Sequence, residues 1–217
     1  HPILITEIDE TVCGGCGTCV KTCAFSASHI DPVKKVSVID PKRCKGCGNC
    51  VVACPTGARD LINFPEHYIV KAIDILSRGV STSSDPKVLA ILCNSCGYPA
   101  ADEAGELSNR MPGLRYSPNV LPVMVECGGN VDTQYILRAF KKGFDGVAIS
   151  ICKDGHCHHI VGNTDMERRV GLFREVLRSR RINDERLRII HVFPDDGEFF
   201  SNEMNSFIEE LNTMDKA

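Results

Sequence analysis

Two runs of four cysteines at the same C-x2-C-x2-C-x3-C spacing constrain this chain more than anything else in it. Cys13, Cys16, Cys19 and Cys23 form the first run; Cys44, Cys47, Cys50 and Cys54, followed by Pro55, form the second. The chain holds 13 cysteines in 217 residues, an odd number that argues against complete disulfide pairing. Structural zinc also favours paired C-x2-C, but it takes four ligands. It has no use for a third and fourth cysteine repeated at identical spacing in both runs.

The spacing that does need all eight is that of the bacterial ferredoxins with two 4Fe–4S clusters. Three thiolates two residues apart can aim at one cubane, and the fourth of each run ligates the other cluster. The expected sets are therefore Cys13, Cys16, Cys19 and Cys54 for one 4Fe–4S cluster, and Cys44, Cys47, Cys50 and Cys23 for the second. Gly14, Gly15, Gly17, Gly46 and Gly48 let the chain bend around them. The segment is also an internal repeat, since CGGCGTCVKTCAFSA realigns on CKGCGNCVVACPTGA. Ala24 stands where a proline is expected after Cys23.

Such a unit needs only the first 64 residues, an α+β ferredoxin domain of short strands and cysteine loops. Val36–Ile39 reads as one of those strands. Pro65–Ser77 reads as a helix, with Ile69, Ile73 and Leu76 at helical spacing, and RGVSTSSDP over Arg78–Pro86 reads as a linker. From residue 87 to 217 the pattern becomes α/β. Val88–Leu92, Leu121–Val125, Val147–Ile151 and Leu187–Val192 are apolar runs suited to buried parallel strands. Helices are expected over Asp132–Lys142, Thr164–Arg180, opened by a capping box from Thr164 to Glu167, and Gly197–Asn212. The alternation predicts an open, mostly parallel sheet.

The other five cysteines follow these strands: Cys93 and Cys96 the first, Cys127 the second, Cys152 and Cys157 the third. Open α/β sheets bind ligands just beyond the carboxyl ends of their strands, so the five thiols can converge. Four of them would suit a 2Fe–2S cluster. Mixed His/Cys ligation using His156, His158 or His159, a zinc site, and a thiol/disulfide switch on Cys93 and Cys96 remain alternatives. Cys127 taken alone could be a small buried hydrophobe.

Residues Val88–Leu211 resemble the delta subunit of methyl-viologen-reducing hydrogenase. The resemblance rests on CNSCGY with Asp102 and Ala104–Gly105 downstream, on CGGNVD leading into ILRAFKKGFDGV, and on CKDGHCHHIVGN followed by MERRVGLF and ERLRII. It implies a 2Fe–2S cluster held by four of Cys93, Cys96, Cys127, Cys152 and Cys157. His1–Ser77 resembles the C-terminal two-cluster segment of the A-type polypeptide of heterodisulfide reductase. The whole resembles the tail of a fused polypeptide of those two kinds, or of the B-type polypeptide of a quinone-interacting oxidoreductase. A first residue of His1 fits a fragment. The sequence departs from the family at Asn130, where arginine is usual, and at Ser95, Lys153–Asp154 and His159.

The implied function is to relay electrons between a hydrogenase or formate dehydrogenase type donor and a flavin-containing complex with other heterodisulfide-reductase-like subunits. FAD is expected only in an upstream domain or a partner. The chain has no G-x-G-x-x-G or G-x-S-x-G signature, so no catalytic site is expected in it. Its 25 basic and 28 acidic residues give a net charge of −3, which argues against nucleic acid. No apolar run reaches the roughly 18 residues of a membrane helix, and no signal-peptide pattern opens the chain. The expected location is cytoplasmic, with any membrane association made through partners. Arg168, Arg169, Arg174, Arg178, Arg180 and Arg181 read as a solvated helix flank or as a docking face for an acidic partner. The competing functions are a zinc-stabilised interaction module and a thiol-based redox sensor in the second domain.

Overall fold

In the computed structural model, residues 4–79 and 84–214 are described. The first half is made of very short elements. Strand β1 (Thr6–Ile8) pairs antiparallel with β4 (Arg59–Leu61), and β2 (Ser28–Ile30) with β3 (Ser37–Ile39). Helix α1 (Thr18–Thr22) begins just before the third cysteine of the first run, and α2 (Asn49–Val52) just before the third of the second. Both helices are entered through a left-handed glycine, Gly17 at φ 75° and Gly48 at φ 74°, a conformation that side chains disfavour. The sequence repeat is thus a structural repeat.

The second half has a core of its own. Helix α3 (Glu66–Ser77) leads to β5 (Val88–Cys93), α4 (Gly97–Arg110), β6 (Val120–Val125) and α5 (Thr133–Lys141). Then come β7 (Gly146–Cys152), α6 (Gly162–Ser179), β8 (Leu187–Val192) and α7 (Gly197–Thr213). The sheet is four-stranded and parallel, in the order β6-β5-β7-β8. Every residue of β5 and β7 is buried, which is why both read as unbroken apolar runs. Helices α4 and α7 pack together, as do α3 with α5 and α5 with α6.

Helix α3 belongs to this core. Ile69 and Ile73 are buried in it, and Asp74 receives Arg138 of α5 at 2.9 and 2.5 Å. Each buried isoleucine contributes about 1.5–3 kcal/mol. Part of the predicted linker, residues 80–83, lies outside the described residues.

Two expectations are corrected. Helix α6 starts at Gly162, not Thr164; the Thr164 hydroxyl donates back to Val161 O at 3.1 Å, and no capping box forms. The early start seats Gly162 against the thiol of Cys127, so closely that an added Cβ would collide with Sγ. Helix α4 has no counterpart among the expected helices. Its buried face is Gly97, Ala100, Ala101 and Ala104, too small to make an apolar stripe. The small face is needed because α7 approaches closely: a Cβ on Gly197 would lie 2.7 Å from the Ala104 nitrogen.

Candidate metal centres

The first half gathers its eight cysteines into two groups. Cys13, Cys16, Cys19 and Cys54 line one small cavity together with Ile30, Ser37 and Arg59. Cys54 reaches it from the other run because the chain turns at Cys54–Gly57 before entering β4. The Ser37 amide donates to Cys13 Sγ at 3.3 Å, and its hydroxyl lies 3.1 Å from Cys19 Sγ. Hydrogen bonds of this kind would stabilise thiolate charge.

The second group centres on Cys47. Burial, with Cys50, Cys23 and Cys44 nearby, pushes its thiol up to about 12. Cys23 of the first run is thus close enough to act on Cys47 of the second, and it accepts from the Ala27 amide at 3.3 Å. Burial likewise pushes Cys50 up, against the pull of Arg59, whose guanidinium donates to Cys50 Sγ at 3.3 Å.

The third group forms at the carboxyl edge of the parallel sheet. Strands β6, β5 and β7 are adjacent, so the loops after them meet. Cys93 and Cys152 stand with sulfurs 3.9 Å apart, Cys127 and Cys157 with sulfurs 4.0 Å apart. Two thiolates on one tetrahedral metal at about 2.3 Å would be roughly 3.8 Å apart, so each pair has the separation of two ligands on one metal ion. Cys96 lies beside Cys93 and Cys152. Of the three neighbouring histidines, His158 comes within reach of the sulfurs, with Nδ1 3.8 Å from Cys152 and 4.0 Å from Cys96. His156 packs edge-on against Phe193, and His159 against Phe25 of the first half.

The five thiols also divide electrostatically. Cys157 and Cys93 are held well below the usual thiol range, chiefly by hydrogen bonds from Cys127 and Cys152 respectively. Cys127, Cys152 and Cys96 are pushed above it, as the donors in that network and by burial. All five sulfurs are soft ligands, with one imidazole at the edge, a donor set suited to iron–sulfur groups or zinc.

The second and third groups are neighbours across the junction of the two halves. Asn49 of α2 donates to Asp165 of α6 at 2.5 Å, and a Cβ on Gly48 would collide with Asn130. Arg169 donates to Gly129 O at 3.0 Å and to Asn49 Oδ1 at 3.4 Å. Part of the arginine flank of α6 is paired with carboxylates. Arg168 pairs with Asp165, Arg174 with Asp184, and Arg178 with Glu175 and Asp184. Sequence reasoning passes over Arg59 and gives Arg169 no separate part. The signal for Arg169 is its position three residues after buried Met166, on the apolar stripe of its helix.

Comparison with known proteins places this geometry among relatives. The family described as methyl-viologen-reducing hydrogenase, delta subunit, matches residues 88–215, and a 4Fe-4S dicluster domain matches residues 12–58. The chain is 37% identical over 205 residues to the A-type polypeptide of the ferredoxin:CoB-CoM heterodisulfide reductase of Methanosarcina mazei, covering 94% of this chain and 25% of that protein. It is 34% identical over 130 residues to the D-type iron-sulfur polypeptide of the vhc F420-non-reducing hydrogenase of Methanococcus voltae, covering 60% of this chain and 87% of the relative. The corresponding hydrogenase polypeptide of Archaeoglobus profundus is 35% identical over 128 residues, covering 59% of this chain and 90% of the relative. The chain thus spans only about a quarter of the reductase polypeptide and most of each hydrogenase polypeptide.

Proposed function

Because the chain belongs to the methyl-viologen-reducing hydrogenase delta subunit family and carries a 4Fe–4S dicluster domain ahead of it, we propose that it is an electron-transfer module with three iron–sulfur centres. Cys13, Cys16, Cys19 and Cys54 hold one 4Fe–4S cluster, and Cys44, Cys47, Cys50 and Cys23 the other. Cys93 with Cys152, and Cys127 with Cys157, hold the two irons of a 2Fe–2S cluster. The observation that carries this reading is the pair of sulfur separations, 3.9 and 4.0 Å, on residues drawn from three strand ends.

When bound, the clusters supply one-electron carriage. The protein's own residues fix what surrounds them. Ser37 and Arg59 donate to sulfurs of the first two sites, Gly162 closes the chain onto Cys127, and β5 and β7 keep the third site dry beneath. Cys96 is the thiol left over, beside Cys93 and with its sulfur 4.0 Å from His158 Nδ1. Electrons would pass between a hydrogenase or formate dehydrogenase type donor and a flavin site in another part of the polypeptide or in a partner. Among the described residues no helix is long and apolar enough to cross a membrane.

Anaerobic iron and acid-labile sulfide analysis tests the reading. Three centres require about ten irons and ten sulfides per chain. About eight of each would leave the dicluster half standing and remove the third centre. Zinc in place of two irons, with no visible absorption from the second half, would favour the interaction-module reading, for which the close grouping of Cys96, Cys152 and His158 is the supporting observation.

A further inference from the structure

Two arginines lie in the two gaps between neighbouring thiol groups. Arg59, only 3% exposed, lines the cavity of Cys13, Cys16, Cys19 and Cys54. From there its guanidinium donates to Ser37 Oγ at 2.6 Å, to Thr6 Oγ1 at 3.0 Å and to Cys50 Sγ of the second group at 3.3 Å. Arg169 repeats the arrangement one gap further on. It donates to Asn49 Oδ1, between Cys47 and Cys50 in the chain, and to Gly129 O, two residues after Cys127, and it feels the Cys127 thiol electrostatically.

Both share a feature that a purely structural arginine would avoid. The Nε of each is fully buried with no hydrogen-bond partner, and among the described residues neither forms an ion pair. Asp132, Asp165 and, more weakly, Cys127 act on Arg169 from beyond ion-pair distance. A guanidinium is always charged, and a charge withdrawn from water without a counter-ion is strongly destabilising. The Cys50 thiol touches Arg59 and the Cys127 thiol acts on Arg169 from further off, and thiols holding iron–sulfur groups are thiolates, which supply negative charge beside each.

We infer that Arg59 and Arg169 are positioning residues that raise the reduction potentials of the centres on either side of them, so that the middle centre, held by Cys23, Cys44, Cys47 and Cys50, is raised by both. This rests on the three-centre reading above. Reduction adds one electron and no proton to a centre, and so adds one negative charge. A fixed cation nearby stabilises that reduced form relative to the oxidised one. The low polarity of the gap makes the effect larger than the same charge would have at the surface.

The test is an anaerobic redox titration of the cluster-loaded full chain with dithionite, each centre followed by its own electron paramagnetic resonance signal. Arg59→Met should lower the first and middle centres, and Arg169→Met the middle and third. In each case the reduced-to-oxidised ratio at a given potential should fall about tenfold, a shift of roughly 59 mV for one electron. Arg59→Lys and Arg169→Lys keep a charge while losing the fork, so they should recover most of the shift. Iron content equal to that of the unaltered protein shows that each variant has folded and loaded.

Unchanged potentials, equal shifts at all three centres, or lysine variants that load fully yet behave like methionine would overturn the inference. If the methionine variants fail to load, the loaded lysine variants decide alone. Potentials displaced by as much as tenfold would then mean that the fork rather than the charge matters, and would also overturn it. An unaltered protein with no third signal would overturn the parent reading, and this one with it, before any variant is compared.

Discussion

The two halves gather thiols by opposite means. In the first, the leading three cysteines of each run are separated by two residues, and left-handed glycines and one-turn helices curl the chain around the site. In the second, the sulfurs come from positions 93 to 157 and are assembled by three strands whose order was set by their own packing. The first half buries little: among its described residues the buried apolar side chains are Ala27, Val36, Val51, Ala58 and Leu61, with Cys19 and Cys50 the buried thiols. The second buries two entire strands and the faces of five helices. A site can therefore be the core of a small fold or a guest on a large one, and the two should respond differently when the metal is lost.

Removing iron anaerobically with a chelator should show the largest contrast. Amide exchange across β1 to β4 should rise to within about tenfold of the unfolded rate, while β5 and β7 stay protected. Uniform loss of protection would erase the distinction. Next in size is a crossed effect inside the first half. Cys54→Ala should destroy the signal of the centre held by Cys13, Cys16 and Cys19, and leave that of Cys44, Cys47 and Cys50 largely intact. If its own run's centre disappears instead, the grouping around the cavity is misread.

In the second half single thiols should matter one at a time, without loss of the fold. Serine at Cys93, Cys127, Cys152 or Cys157 should abolish or grossly alter the 2Fe–2S signal, whereas Cys96→Ser should keep it. Loss with Cys96→Ser and retention with Cys93→Ser would move the pairing toward His158. The smallest effects concern helix starts. The Asp132 carboxylate accepts from the Gln134 amide at 2.8 Å, so Asp132→Ala should cost about 1 kcal/mol of stability. Thr164→Ala should cost less than about 0.5 kcal/mol, since that hydroxyl caps nothing. Both are read by chemical denaturation of the loaded chain, and neither should alter amide exchange in the first half.

What could be read from the sequence follows the same division. Local spacing marks each of the eight cysteines of the first half as a candidate ligand, because that motif is written in neighbouring residues. The strands of the second half were equally plain, since fully buried parallel strands are apolar throughout. Helix α4 was hidden because a face of Gly97, Ala100, Ala101 and Ala104 carries no apolar period. The start of α6 was displaced because Thr164 and Glu167 mimic a cap, while the true start answers to a thiol from a distant strand. Arg59 and Arg169 escape notice for a related reason. Their partners lie 9 to 120 residues away; nothing local marks Arg59 as enclosed, and for Arg169 only its place on the apolar stripe of α6 does.

The seating of α3 bears on how this protein can be taken apart. Its sequence invites a cut at the serine-rich stretch before Lys87, which would send the helix away with the dicluster half. That fragment would carry Ile69 and Ile73 bare to water, and the remaining sheet would expose the greasy seat they left on β6 and α5. Both pieces would then present sticky faces that fit each other. A cut ahead of Glu66 leaves the helix in its seat, so the sound seam for dissection lies about twenty residues upstream of the obvious one.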